Sequence, residues 1–329
     1  MPNPDEALIE PVYDDPIFCE KLDAFLGAFA ARFDEDPRVE SIDVGTYGTW
    51  GEGHTYGGTD LIYPYETVKW HIDVHKKHFR HTQILVNDDM LDGVKHGNTD
   101  DCMRLAEYCA LHGMGICDDS IMVESYYETM GFDTLRSPYL FDVFWKTAPV
   151  DLEFAHNLLV SDEQFGGGFH NLEAMRRAHA TYAGFHGDIY QWYEKARYFH
   201  DYAANRLGYW YFLEGFVMPP LRTGFTAFSE WIFSNRGFAP AYHDYTLRVA
   251  LQDEEGCLHV ISTGDNSNRG WVYGVDNTVR IPLDLHGVLP GAYTVCIGMF
   301  YGDRPIQLGI QPERFCEGYY QTDRIIVEA

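Results

Sequence analysis

The chain has 329 residues, with 50 acidic against 24 basic side chains and a formal net charge of −26. A charge this negative repels phosphate groups and anionic lipid surfaces, so neither nucleic-acid binding nor membrane binding is expected. Hydrophobic residues make up 46% of the chain, which allows a large core, and the length favours two domains.

The seven cysteines include no Cys-x-x-Cys pair, so the sequence predicts neither a disulfide framework nor a zinc ribbon. No cofactor and no metal ion are expected, because the glycine-rich stretch at 166–168 lacks the Lys-Ser/Thr of a phosphate-binding loop and no loop is dense in carboxylates. The polar, acidic first residues lack signal-peptide character, which favours the cytoplasm for the chain as given. Secretion remains open if an N-terminal region is missing.

The first two thirds of the chain alternate predicted helices and strands. Residues 15–33 are predicted to form a helix, because apolar side chains recur at helical spacing behind an acidic cap and Pro16. Strands that alternate with helices indicate parallel strands joined by right-handed crossovers. The further elements expected are helices near 65–79, 99–112, 138–146, 171–179 and 192–206, and strands near 39–44, 82–87, 113–119, 148–153 and 179–186.

The most informative segment is residues 43–54, where a predicted strand runs into a turn with four glycines. So much glycine disfavours both helix and strand interior, so the backbone there is expected to be irregular. The turn carries Tyr47, Trp50, Glu52 and His54. This combination is typical of sites that cleave sugars, because aromatic faces stack on pyranose rings and the carboxyl group transfers a proton. The alternative is a loop whose aromatic rings fill a core.

Other predicted strands also end in polar side chains. Glu153 and His186 end two of them, and Asn87 and Asp119 end two more. In a βα barrel the carboxyl ends of the parallel strands form the active site, so these residues are candidates for one cleft. The alternatives are turn formation or helix capping for Asn and Asp, and a place in the core for His.

From about residue 208 the pattern changes to short alternating strands separated by turn residues, which indicates an antiparallel β-sandwich. The predicted domains are therefore 1–207, with the candidate site, and 208–329. The predicted strands of the second domain lie near 209–217, 246–251, 258–261, 278–283, 292–297 and 324–327.

The chain resembles a glycosidase-like family of unknown function, with a TIM barrel related to clan A of the glycoside hydrolases and a C-terminal β-sandwich. The resemblance implies an α/β plus all-β fold: the C-terminal part of a (β/α)8 TIM barrel, without its first three strands, followed by an antiparallel β-sandwich. Such a remnant exposes two sheet edges, so either the chain is a fragment or self-association or a partner chain covers them. The phrases that carry the resemblance are residues 47–54, 149–153, 205–209, 234–242, 289–293 and 318–320.

The resemblance also implies a retaining glycoside hydrolase with a carbohydrate substrate, in which Glu52 is the acid/base and Glu153 the nucleophile. Gly51 departs from the clan, which has Asn directly before the acid/base and uses it to contact the sugar 2-hydroxyl. A carbohydrate-binding protein without catalysis is therefore the alternative. The sugar and its linkage are left open. The residues expected to contact the sugar are Trp50, Tyr47, His54, Asn87, Asp119 and His186.

Overall fold

The chain divides into two compact units, Met1–Ala203 and Ala204–Ala329. Among the described helices, none combines the length and apolar character that a membrane crossing requires. The computed structural model describes residues 9–91, 99–121, 138–156, 158, 160–266 and 268–329.

The first unit is built on five parallel strands, β1 to β5, which lie side by side in the order of the sequence. The strands are β1 (Ser41–Asp43), β2 (Gln83–Asn87), β3 (Gly115–Ile121), β4 (Val150–Phe154) and β5 (Tyr182–Phe185). The helices along this part of the chain are α1 (Pro16–Phe33), α2 (Tyr65–His78), α3 (Asp88–Leu91), α4 (Thr99–Leu111), α5 (Pro138–Phe144), α6 (Asp162–Phe165), α7 (Phe169–Arg177), α8 (Ile189–Lys195) and α9 (Arg197–Ala204).

The two faces of this sheet differ in chemistry, because successive side chains along a strand point to opposite faces. On one face Ile116, Val150 and Leu152 are fully buried. On the other face the strand register aligns Cys117 with Asp151 and Asp151 with Tyr182. We call this second face the polar face; its polar members include Asp43, Asn87, Cys117, Asp151, Glu153 and Tyr182.

The sheet is curled, so that its two edge strands approach each other. The Tyr182 hydroxyl on β5 donates to Glu40 Oε1 at 3.0 Å, and Glu40 directly precedes β1. In a flat sheet, four steps of about 4.8 Å would separate β1 from β5 by about 19 Å, which these two side chains could not bridge. The five strands therefore form a half-barrel.

The expected TIM-barrel remnant is wrong. The parallel strands and their sequential order are present, but the first unit is a five-stranded half-barrel whose edges are bridged by Tyr182 and Glu40. Local alternation of helices and strands indicates βα units and says nothing about how many strands the sheet holds or how far it closes. β1 and β5 are still the ends of this sheet, so the expected self-association or partner chain stays a prediction.

The second unit contains a seven-stranded and a three-stranded sheet. One hydrophobic core takes Trp231 and Phe233 from the smaller sheet and Leu247 and Ile297 from the larger. The strands are β6 (Tyr211–Val217), β7 (Leu221–Arg222), β8 (Thr226–Asn235), β9 (Tyr245–Gln252), β10 (Leu258–Asn266), β11 (Asp276–Asp284), β12 (Gly291–Tyr301), β13 (Arg304–Pro305), β14 (Phe315–Cys316) and β15 (Tyr319–Glu328).

The expected antiparallel sandwich is also wrong, because the larger sheet is mixed. Its strand order is β10–β9–β12–β15–β14, with β13 beside β12 and β7 beside β15. The two-residue strand β7 runs parallel to β15, with Leu221 opposite Val327. A pair this short leaves no period-2 pattern in the sequence, so the hydrophobic alternation reveals only the longer antiparallel strands.

Asn235, at the end of β8, ties together the backbone of the second unit. Its Oδ1 accepts hydrogen bonds from the backbone N–H groups of Trp210 and Gly237, both at 2.9 Å. Its Nδ2 donates to the carbonyl oxygens of Ala239 and Trp271, both at 2.8 Å. The side chain is fully buried, so every one of these bonds replaces a bond to water that the folded protein cannot make.

Asn235→Asp is therefore expected to lower the free energy of unfolding by about 3 kcal/mol, because a carboxylate has no N–H to offer two buried carbonyl oxygens. Guanidinium denaturation of the whole chain measures the change. Asn277→Asp is the matched control, since Asn277 makes one exposed side-chain bond to the Val275 carbonyl at 2.9 Å. Equal losses in the two variants would contradict the assigned role of Asn235.

Candidate functional site

The chain leaves β1 in a tight glycine-rich loop that carries the first candidate residues. The Thr49 N–H bonds to the His54 carbonyl at 2.6 Å, which folds the loop back on itself. Gly51 and Gly53 have φ values of 85° and 89°, where residues with a side chain are strained. A Cβ on Gly53 would lie 2.5 Å from the Met90 backbone nitrogen. The glycines thus let the loop lie directly against the start of α3.

Within this loop, Tyr47 and Trp50 have opposite environments. Tyr47 is 1% exposed, and its ring packs edge-on against Tyr13 and Tyr63 at centroid distances of 5.0 and 5.8 Å. That ring contributes to the core and has no face open to a ligand. Trp50 is 76% exposed, and its ring centroid lies 6.1 Å from that of His54. Of the two aromatic candidates, Trp50 is the one that a sugar could reach.

Glu52 and His54 lie together at the end of the loop, in contact with α3. His54 Nε2 is 3.4 Å from Glu52 Oε2 and 3.7 Å from Asp89 Oδ2. Exposure decreases along this series, from 32% for the Glu52 side chain through 11% for His54 to 1% for Asp89. The three side chains therefore run from the surface of the site into its interior.

Glu153 reaches the same region from β4. Its carboxylate Oε1 lies 2.5 Å from His186 Nε2, and both side chains are about half exposed. The Trp192 indole donates to the His186 carbonyl at 2.8 Å, which anchors this end of β5. Burial raises the pKa of Glu153, the charges of Glu52 and Asp43 raise it further, and the His186 contact opposes the shift. The charge of Glu52 acts on Glu153 because the curl of the sheet brings the loop after β1 towards the ends of β4 and β5.

Further acidic groups line the polar face below Glu153. Burial raises the pKa of Asp151 to about 6, with further increases from the neighbouring charges of Asp43 and Glu153. Burial raises the pKa of the Cys117 thiol well above its ordinary value. Negative charges on four neighbouring residues add to the increase: Asp43, Asp88, Asp151 and Asp119. The thiol is therefore protonated at neutral pH.

Asn87 and Asp119, the remaining predicted site residues, are both buried. Asn87 Oδ1 accepts the Asp89 N–H at 2.9 Å and so caps the turn into α3. Asp119 has a carboxylate oxygen within 4.8 Å of those of Asp88 and Asp118. Three carboxylates are oxygen ligands of the kind that Mg²⁺ and Ca²⁺ take, but the cluster by itself does not identify an ion, and we assign no metal.

The structure thus brings together Glu52, His54, Glu153 and His186, with Trp50 exposed beside them. Asp43, Asp89, Cys117 and Asp151 were not singled out from the sequence. The alternation of β4 contained a signal for Asp151, because a residue two positions before Glu153 points to the same face. Nothing local in the sequence indicates that Asp89 contacts His54, since the two belong to different βα units.

No protein-family model matches the chain, and no curated protein matches it. One solved structure found to be similar is "AvmM Catalyzes Macrocyclization in Alchivemycin A Biosynthesis", with 12% identity and a TM-score of 0.21 over 37% of this chain and 89% of that one. Another is "Pseudomonas fluorescens alkylpurine DNA glycosylase AlkC bound to DNA containing an abasic site analog", with 9% identity and a TM-score of 0.23 over 82% and 83%. Likenesses this low carry no argument about fold or function.

The expected membership of a glycosidase-like family is therefore corrected, since neither these comparisons nor the fold of the chain supports it. Six short phrases of common residue types were too little to establish descent. The roles of Glu52 and Glu153 that the resemblance implied lose that support, and any role for them must follow from their surroundings in this structure.

His71 on α2 holds the start of the glycine-rich loop. Its Nε2 donates to the Tyr13 carbonyl at 3.1 Å, so Nδ1 carries no proton in the neutral ring and accepts from the Thr46 hydroxyl at 3.0 Å. The ring is fully buried. Burial lowers the pKa of His71 to about 4, although the Tyr13 contact opposes the shift.

We expect His71 to lower the stability of the protein as the pH falls from about 6.5 to about 4, while Asp151, whose pKa burial raises to about 6, acts in the opposite sense over part of this range. The unfolded chain binds a proton at His71 near pH 6.5, whereas the folded protein resists it until pH 4, so protonation favours unfolding by up to about 3 kcal/mol. Above about pH 6.5 the contribution of His71 is constant. Denaturation midpoints measured across this range test the expectation.

The free energy of unfolding of His71→Gln minus that of the wild type should rise as the pH falls through this range, because the contributions of Asp151 and of His75, whose pKa burial also lowers, are common to both proteins and cancel. The control is His81→Gln, since the His81 side chain is 58% exposed. Identical pH dependence in the wild type and in His71→Gln would contradict this account.

Proposed function

We propose that the first unit binds a carbohydrate at the polar face and hydrolyses a glycosidic bond with the carboxyl groups of Glu52 and Glu153. The observation that carries the proposal is the curl of the sheet, which brings the loop after β1, with Glu52, towards the end of β4, with Glu153; the charge of Glu52 accordingly raises the pKa of Glu153. Hydrolysis of a glycoside by two carboxyl groups requires one that donates a proton and one that is ionised, at a single site.

The surroundings of the two groups suggest how the roles are divided. Burial and neighbouring negative charge raise the pKa of Glu153, which favours the protonated form and so suits a proton donor. Both carboxyl groups have an imidazole beside them, with His54 Nε2 3.4 Å from Glu52 and His186 Nε2 2.5 Å from Glu153, so the imidazoles do not divide the roles. We therefore propose Glu153 as the general acid and Glu52 as the ionised partner, the reverse of the roles that the resemblance implied.

Sugar binding would use Trp50 and His186. The exposed Trp50 ring offers a flat apolar face, and the partly exposed imidazole of His186 offers a polar contact next to Glu153. The carboxylates of the polar face would repel a sugar that bears carboxylate or phosphate groups, which makes neutral sugars the first substrates to test.

A carbohydrate-binding protein without catalysis is the second candidate, and one observation favours it. His186 Nε2 lies only 2.5 Å from Glu153 Oε1, so that oxygen is already engaged in a close ion pair or hydrogen bond. If the sugar does not displace this contact, Glu153 cannot reach the glycosidic oxygen. The site would then hold a sugar without cleaving it.

The test is turnover of para-nitrophenyl and dinitrophenyl glycosides of neutral sugars by the whole chain and by two variants. Glu52→Gln and Glu153→Gln should each lower kcat on the nitrophenyl substrates at least about 100-fold, the range that a general acid or base contributes. Activity of Glu153→Gln should recover on the dinitrophenyl substrates, because that leaving group departs without a proton. Glu163→Gln, an exposed position on α6, is the control.

Recovery in Glu52→Gln instead of Glu153→Gln would reverse the proposed roles and keep the two-carboxylate site. Wild-type activity in both variants would contradict it. Calorimetric binding of an oligosaccharide without turnover would support the second candidate, and Trp50→Ala should then abolish the binding.

A further inference from the structure

His54 has one ring nitrogen whose protonation is fixed by the backbone. The Tyr56 N–H donates to His54 Nδ1 at 3.1 Å. A ring nitrogen that accepts a hydrogen bond carries no proton, so the proton of the neutral imidazole is on Nε2. The loop thereby determines which side of the ring presents an N–H.

That N–H lies between two carboxylates. Nε2 is 3.4 Å from Glu52 Oε2, which faces the site, and 3.7 Å from Asp89 Oδ2, which is buried at the start of α3. A single N–H cannot make a good hydrogen bond to both oxygens at once, so a small rotation of the ring favours one or the other. Trp50 and Tyr56 flank the ring at centroid distances of 6.1 and 6.4 Å.

On the basis of the proposed function, we infer that His54 is a positioning residue with two alternative hydrogen-bond acceptors. Its Nε2–H holds the Glu52 carboxylate before the reaction and donates to Asp89 instead once Glu52 has reacted. While Glu52 is ionised, the Nε2–H donates to it and aims it at the site. When Glu52 accepts a proton or a glycosyl group, its oxygens become weaker acceptors, and the same N–H turns to the Asp89 carboxylate. No proton leaves His54 in this exchange; only its hydrogen-bond acceptor changes.

The advantage of two acceptors follows from burial. The His54 side chain is only 11% exposed, so an N–H without an acceptor would be costly there. With Asp89 behind it, the donor is satisfied both before and after Glu52 reacts, so this cost does not add to the barrier. The charged groups within 4 Å of His54 Nε2 among the described residues are Glu52 on the loop itself and Asp89 from α3.

Two variants of His54 separate positioning from packing. His54→Gln keeps an N–H donor near the position of Nε2, whereas His54→Leu has a similar volume and no donor. On the nitrophenyl substrates we expect kcat to fall about 100-fold in His54→Leu and less than about tenfold in His54→Gln, with little change in KM. Asp89→Asn, which keeps an acceptor and removes the charge, should lower kcat by about tenfold. Thermal denaturation confirms that each variant is folded.

Nitrogen-15 NMR of the His54 ring provides a readout that needs no turnover. We expect an unprotonated Nδ1 and a protonated Nε2, whose signal shifts in Glu52→Gln and in Asp89→Asn but not in Glu163→Gln. A signal unaffected by both substitutions would overturn the inference whether or not the protein hydrolyses glycosides. Equal kcat in folded His54→Leu and wild type would overturn it while leaving the proposed hydrolysis intact. Absence of turnover in the wild type would contradict the proposed function. It would also contradict the change of hydrogen-bond acceptor during the reaction, because that change depends on the proposed function.

Discussion

The curl of the five-stranded parallel sheet determines which side chains meet at the candidate site. Tyr182 on the last strand bonds to Glu40 directly before the first, so the two edges lie within reach of two side chains. The same curl explains why Asp43 on β1 influences the pKa of Asp151 on β4, although two strands lie between them. In a flat sheet these carboxyl groups would be too far apart to interact, and Glu52 and Glu153 would belong to separate surfaces.

The curl has an electrostatic cost, because it gathers like charges in a partly dehydrated place. The protein responds in two ways. Some carboxyl groups hold their protons more strongly, as the raised pKa values of Asp151 and Glu153 indicate. In addition, two of the carboxyl groups have an imidazole beside them, with His54 next to Glu52 and His186 next to Glu153. A site with both protonated and ionised carboxyl groups is suited to acid–base chemistry, and this is the physical basis of the proposed function.

Much of the local structure could be predicted from the sequence. The helix expected at 15–33 is α1, with Asp15 accepting from the Ile17 and Phe18 N–H groups as its cap. The strands that carry Glu153 and Asn87 are also present, because each presents a compact apolar run to a buried face. Three predictions were wrong: the TIM-barrel remnant, the all-antiparallel sandwich and the family. The curl of a sheet and long-range strand pairing, such as that of Leu221 with Val327, leave no local pattern in the sequence. The contact of His54 with Asp89 was missed for the same reason.

The central claim is that Glu52 and Glu153 act on each other across one polar face. Carbon-13 NMR titration of the glutamate carboxyl groups tests it most directly, in the wild type and in Glu52→Gln. We predict a pKa of Glu153 above its ordinary value in the wild type and a lower pKa of Glu153 in Glu52→Gln, because one of the charges that raises it is gone. An unchanged pKa of Glu153 in Glu52→Gln would contradict the claim.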